Sequence, residues 1–161
     1  LLVKFNHGMV VPNMDDIDRK ILRRLQRNAR VTISDLSSEI ALSMPAISER
    51  LKKLEASGVI TQYTAILEPA MLNKHLMALI FLRFDNPSHG YRFADSVKNE
   101  GDIKECFYIT GEFDYSLKIL TENTQSLEKL LTRIKNQPGI VKTQTIVILS
   151  TITDSPSILP D

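Results

Sequence analysis

A chain of 161 residues, 43% hydrophobic and 24% charged, has the length for one or two small domains and the composition of an ordinary globular protein. Its net charge of +1 selects no partner, and its single cysteine, Cys106, excludes an internal disulfide framework and fits a reducing compartment. No apolar run reaches the roughly 18–20 residues that span a bilayer, so no membrane association is expected.

Charge is unevenly spread. Residues 15–63 hold nine Lys/Arg against seven Asp/Glu, and residues 64–161 hold ten against twelve. This is a mild polarity between a basic front and an acidic back. Residues 1–13, "LLVKFNHGMVVPN", share none of the periodicity that follows and are read as a tag remnant or a disordered extension.

From Met14 the pattern is helical. "DDIDRKILRRLQRN" places Ile17, Ile21, Leu22 and Leu25 on one face, with acids in the first turn and arginines toward the end, the order the helix dipole favours. "TISDLSSEIAL" offers Thr32 or Ser34 as N-cap and Leu36 with Ile40 as a buried pair. "SMPAISERLKKLEASG" starts on Ser43, accepts Pro45 in its first turn, buries Ile47, Leu51 and Leu54, and stops at Gly58. Three short helices over residues 14–63, the last two separated by a few residues, predict a helix-turn-helix unit of winged-helix-like, three-helix form.

"VITQYTAILEP" reads as a strand or short extended pair leading into a linker over residues 64–75. Beyond it, over 76–153, the grammar changes. "HLMALIFLRF" is a strand that "NPSHG" breaks, and "YRFADSVKNEG" a helix with Phe93 and Val97 inward. "IKECFYIT" and "FDYSLKIL" are strands around a tight turn, "TQSLEKLLTRIKNQ" is a helix, and "IVKTQTIVILSTI" closes the unit, leaving 154–161 as a tail. The order β-α-β-β-α-β predicts an α+β, ferredoxin-like domain with both helices on one sheet face. Leu76–Phe84 and 140–152 are apolar on both faces, so the second sheet face calls for a partner subunit.

On a helical wheel centred on Ile47, the third helix turns Pro45, Glu49, Lys52, Ala56 and Lys53 away from its apolar stripe. Ser48 and Ala46 flank the stripe and Arg50 sits at its border. Ser48, Lys52 and Lys53 can reach phosphates or base edges of double-stranded DNA, and Ala46 allows close approach to a groove. Glu49 is expected to pair with Lys53 four residues on. Taken alone, such a face is commonly just solvated; its place as third helix behind a short turn favours DNA reading. A reader this small and weakly charged needs doubling on a two-fold axis, which the self-associating sheet would supply.

At this point "DDIDRKILRRLQRNAR", "LSMPAISERLKKLEASGVI", "YTAILEP" and "GEFDY" followed by "PGIVKTQT" together resemble the leucine-responsive regulatory protein/asparagine-activator (Lrp/AsnC) transcription regulators. The resemblance covers Met14 to about Ile152. It implies an N-terminal helix-turn-helix, with Ser43, Pro45, Ala46, Ser48, Glu49, Arg50, Lys52 and Lys53 as candidates for DNA contact. It implies a C-terminal domain that pairs sheet to sheet into homodimers, often octamers, and a small-molecule effector, usually an amino acid, in clefts between those domains. The family's Gly-x-x-Asp-Tyr turn maps onto Gly111, Asp114 and Tyr115, with Glu112 between, and Thr143 and Thr145 match its nearby polar pair. "AMLNKH" departs from the family by lacking a Gly, a role Asn73 can take.

Read physically, Gly111 permits a positive φ, neighbouring N–H groups could hold a carboxylate, and Asp114 or Glu112 could receive an ammonium. Plain turn chemistry, with Asp114 bonding its own backbone, remains the alternative. Alternation places Phe113 and Tyr115 on one side of the strand, as packing residues. No catalytic residue, metal site or cofactor is expected: His7, His75 and His89 are isolated, Cys106 reads as a buried inert thiol, and no phosphate loop is present. The expected function is that of a cytoplasmic DNA-binding regulator answering to an amino acid or similar metabolite. The rivals are an effector-independent architectural DNA protein and a tetrapyrrole-acting enzyme, since the sirohaem decarboxylases resemble this family in both domains.

Overall fold

The computed structural model describes residues 12–155, 158 and 160. The opening segment assigned to a tag or extension lies, up to residue 11, outside the described residues. The chain divides into two compact units, one running to Ile66 and taking in the chain end from Thr153, the other spanning Leu67–Ile152.

The first unit holds three helices, α1 (Asp16–Arg27), α2 (Ile33–Ile40) and α3 (Met44–Ala56). Each begins on a side chain that accepts an orphan N–H. Asp15 and Asp18 form a reciprocal capping box on α1, Thr32 and Asp35 do the same on α2, and the Ser43 hydroxyl accepts from Ala46 N on α3. Thr32, rather than Ser34, is therefore the cap of α2. Ala41 takes a left-handed φ of 59° between α2 and α3, and Gly58 one of 75° after α3. Ile21, Leu22, Leu36, Ile47 and Leu54 form the core, with Leu25, Ile40 and Leu51 packed around them. Each fully buried aliphatic side chain contributes about 1.5–3 kcal/mol.

Residues 61–68 form neither helix nor strand, against the expectation of a strand there. Apolar alternation needs a partner to become a ladder, and none lies beside this segment among the described residues. Ile66 and Leu67 are accordingly 74% and 62% exposed.

The second unit has the expected β-α-β-β-α-β order: β1 (Leu76–Phe84), α4 (Pro87–Ser96), β2 (Ile103–Tyr108), β3 (Tyr115–Thr121), α5 (Thr124–Lys135) and β4 (Ile140–Ile148). The sheet is antiparallel in the order β2-β3-β1-β4. Ala78, Ile80, Leu82 and Phe84 of β1 and Tyr115, Leu117 and Ile119 of β3 pack with Phe93 and Val97 and with Leu127, Leu130 and Ile134 of α5. Both helices thus lie on one face. The other face carries Met77, Leu79 and Phe81, with Ile146 44% exposed; Phe113 packs against Phe81 there, and neither helix of this unit lies on it.

Three element ends differ from expectation. "NPSHG" begins α4 instead of breaking the chain: Asn86 Oδ1 accepts from Ser88 N and His89 N, and Pro87 takes the first turn, where its missing N–H costs nothing. β4 stops at Ile148 rather than Ile152: Met77–Ile148 is the last pair it forms with β1, and Leu149 and Ile152 stay exposed. The turn between β2 and β3 is a loop over residues 109–114, closed by the pair Tyr108–Tyr115.

Candidate DNA interface and effector site

In α3 the apolar stripe anchors the helix and fixes which residues face out. Ile47 and Leu54 are buried; Ser43, Pro45, Glu49, Lys52 and Lys53 are exposed, and Ala46 and Ser48 are half-buried. Met44, 51% exposed at the start of α3, joins this surface. Sequence reasoning passed over it because an apolar residue beside a cap reads as core. Among the described residues Lys52 and Lys53 have no ion-pair partner, and the expected Glu49–Lys53 pair does not form. Two uncommitted ammonium groups thus stand one residue apart on the exposed side of the helix.

Arg50 is different. Its Nη1 donates to Asp18 Oδ1 at 2.7 Å and to Asp15 Oδ2 at 2.8 Å, so its charge is spent inside the unit. Placed at the border of the stripe, Arg50 folds back onto the start of α1 instead of reaching outward. The Arg24–Glu39 pair at 2.9 Å similarly joins α1 to α2.

The Gly111–Tyr115 segment is held by long-range bonds. Asp114 N donates to Leu82 O at 2.8 Å, Ile109 N donates to Asp114 O at 2.8 Å, and Asp114 Oδ2 accepts from Phe84 N at 2.8 Å. The aspartate therefore fastens the loop to the end of β1, thirty residues away, rather than bonding its own backbone. Gly111 has φ 115°, a left-handed value that favours glycine.

Phe113 and Tyr115 lie on opposite faces of the sheet, not on the same side. Tyr115 packs among Phe84, Phe93 and Tyr108 on the helix side. Phe113 packs against Phe81 on the uncovered side, with ring centroids 5.7 Å apart and Lys142 Nζ 5.5 Å from its ring. Two-residue alternation holds only inside a strand, and β3 begins at Tyr115. Glu112 forms an ion pair with Lys142, which holds its carboxyl below the usual glutamate range.

The candidates therefore fall into separate places in one chain. Asp114 and Tyr115 line a cavity of about 90 Å³ beside the start of α4, with Phe84, Asp85, Asn86, Gly90, Tyr91 and Tyr108. Gly90 makes room for the Tyr115 ring, from which a Cβ there would sit 2.7 Å. Burial pushes the Tyr115 phenol up to about 12. Glu112 belongs to the uncovered sheet face, beside Lys142. Thr143 and Thr145 stand on edge strand β4, opposite Leu82 and Ile80 and half-buried. Cys106, expected buried, is exposed on edge strand β2. His89 is not isolated, since its Nδ1 lies 2.6 Å from Asp85 Oδ1 over Gly139, whose missing Cβ leaves space for the pair. Among the described residues no cluster of three or more His, Cys, Asp or Glu is placed to hold a metal, and no helix is long and apolar enough to cross a membrane.

A capped three-helix reader and a ferredoxin-like sheet domain define a helix-turn-helix transcriptional regulator with a second, ligand-binding type of domain. Comparison with known proteins agrees on both parts. The Lrp/AsnC ligand binding domain model matches residues 77–158, and the winged helix-turn-helix DNA-binding model matches residues 14–61. The HTH-type transcriptional regulator FL11 of Pyrococcus abyssi is 34% identical over 139 residues, covering 86% of this chain and 91% of the relative. The leucine-responsive regulatory protein of Haemophilus influenzae is 34% identical over 142 residues, covering 86% of each. The crystal structure of the Neisseria meningitidis transcriptional regulator NMB0573 in complex with L-Met matches with a TM-score of 0.85 and 33% identity, over 90% of this chain and 96% of that one. The chain belongs to the Lrp/AsnC family of DNA-binding transcriptional regulators.

Proposed function

We propose that this regulator reads double-stranded DNA with the outer face of α3 and that an amino acid or similar small metabolite modulates its assembly. Lys52 and Lys53 supply phosphate contacts, and Ser48, Ala46, Glu49, Pro45 and the N-terminal Ser43 approach the groove. The observation that carries this reading is the pair of exposed ammonium groups left without internal partners on α3. Such a face gains affinity chiefly by displacing counterions. Arg50 is left out of the contact set because two carboxylates hold it.

The uncovered sheet face supports homodimerisation. It presents Met77, Leu79, Phe81 and Ile146, and water against such a patch is unfavourable. The regulator is at least a homodimer, with an octamer as the larger form in view. The effector site is placed around Gly111, Glu112, Asp114, Tyr115, Thr143 and Thr145. Of the candidates only Asp114 and Tyr115 line the cavity beside the start of α4, and Glu112 lies on the opposite sheet face and Thr143 and Thr145 on an edge strand. A site that uses them needs more than one subunit, which ties ligand binding to assembly. The complex of the Neisseria meningitidis relative with L-Met supports the amino-acid class. The chain acts as a regulator and not as an enzyme, in the cytoplasm with the DNA it reads.

Neutralising Lys52 and Lys53 together to glutamine should lower affinity for duplex DNA and reduce the slope of log K against log salt by about two for each reading unit engaged, so by about four for a dimer. An unchanged slope would move the reading face elsewhere. Light scattering and thermal shift with a panel of amino acids test the second half. If none changes assembly or melting, an effector-independent architectural role is the better account.

A further inference from the structure

We propose that Arg50 is a positioning residue for DNA recognition, fixing the orientation of α3 through a clamp on the first turn of α1 and making no DNA contact of its own. The inference rests on α3 being the reading helix. Asp18 and Thr121 are the only buried polar or charged residues among those described, so a carboxylate in the reading unit has been taken out of water for a specific partner. That partner is Arg50 Nη1, at 2.7 Å from Asp18 Oδ1, while Asp15 Oδ1 and Oδ2 accept from the same nitrogen at 2.9 and 2.8 Å.

The two acids are not free to follow the arginine. Asp15 caps α1 by accepting from Asp18 N at 2.8 Å, and Asp18 Oδ2 accepts in return from Asp15 N at 3.3 Å. The guanidinium therefore grips a capping box whose own geometry is closed. Its side chain is 27% exposed, against 2% for Asp18.

The placement is also specific in sequence. Arg50 sits three residues after Ile47 and two before Lys52, so it is anchored between the buried stripe and the outward lysines. Ile47 and Leu54 fix which side of α3 faces out, but apolar contacts are non-directional and set its tilt against α1 less sharply. A charge-assisted bond to a fixed carboxylate is directional. It sets the angle at which Ser48, Lys52 and Lys53 are presented. With two carboxylates against one guanidinium, the cluster carries a net negative charge and offers nothing to a phosphate.

The test uses the full chain, a duplex selected by that chain from a random-sequence pool, and a shuffled duplex, each titrated over a series of salt concentrations. For Arg50→Met, affinity for the selected duplex should fall about tenfold, as for loss of a coupled network, while the shuffled duplex and both salt slopes keep wild-type values. Asp18→Asn should give the same loss, and the double variant no further loss, since each breaks the same clamp. A salt slope reduced by about one for each reading unit engaged, or tighter binding by Asp18→Asn, would show the guanidinium on the DNA and overturn the proposal. Equal losses on both duplexes would also overturn it, because a smaller folded fraction gives that result. Where Arg50→Met does not fold by circular dichroism, Arg50→Gln keeps a polar side chain without the charge and is read by the same criteria. If the wild-type chain binds neither duplex, the DNA reading itself fails, and amide exchange then decides the clamp. Faster exchange at the Asp18 amide in Arg50→Gln supports the clamp, and unchanged exchange overturns it.

Discussion

The two units solve the problem of a small core in different ways. The reading unit closes its core with five buried apolar side chains and then ties its helices from outside by Arg24–Glu39 and Arg50–Asp15–Asp18. As a fold it is finished within one chain, yet its reading face carries few free cations. Among the described residues the sheet unit has a larger core of twelve buried residues, packs both helices on one face of its sheet, and leaves the other face without a helix. The first unit is complete as a fold and weak as a binder; the second is sound as a fold and incomplete as a surface. Each deficiency would be remedied by the proposed homodimerisation, in which a second copy doubles the reader and covers the sheet.

Placing a charge on the bare face should break this comparison most severely. Phe81→Asp leaves the helix-side core untouched but puts a carboxylate where a partner would dry the surface, and light scattering should then report a monomer with near-native circular dichroism. A dimer that survives would mean the subunits meet elsewhere.

Truncating the reading unit's core is next. Ile47→Ala should destabilise that unit by about 2–5 kcal/mol, visible as one early transition in urea while the sheet unit's transition stays in place. A single shifted transition for the whole chain would show that the units unfold together.

The smallest expected effect is electrostatic and belongs to the caps. Asp15 is held below the ordinary aspartate range by its bond to the Asp18 backbone and by Arg50, and Asp35 by the Thr32 hydroxyl and backbone. A lowered folded-state pKa favours the native state above the unfolded pKa, and that contribution is lost as pH falls through the folded value. Melting temperature should therefore decline on the acid side of the ordinary carboxylate pKa, and Asp35→Asn should flatten that decline. An identical acid limb in the variant would take Asp35 out of the account.

Much of the fold was legible in the residues because its signals are short-range. Caps lie three residues from the amides they serve, apolar stripes repeat over one or two turns, and strand alternation needs only neighbours. Asn86-Pro87 was misread as a break because the same pair that ends a strand also starts a helix. The last four residues of the final apolar run were misread because their pairing depends on where β1 begins. At the candidate site the sequence marked Gly111–Tyr115 as unusual, but not the sides of the sheet its side chains would take.

Sequence by itself determined the three helices of the first unit, the β-α-β-β-α-β order of the second, Ser43 as the cap of α3, the apolar stripe of α3 with its outward lysines, and an excess of apolar surface on the sheet. Tertiary structure alone decided that Arg50 turns inward to Asp18, that Asp114 is fastened to the backbone of Phe84, that Phe113 and Tyr115 part to opposite faces, and that Glu112 meets Lys142. The physical reason is one of range: periodicity fixes which way a side chain points from its own helix or strand, whereas the partner it finds there lies some thirty residues away and is chosen by how the elements pack.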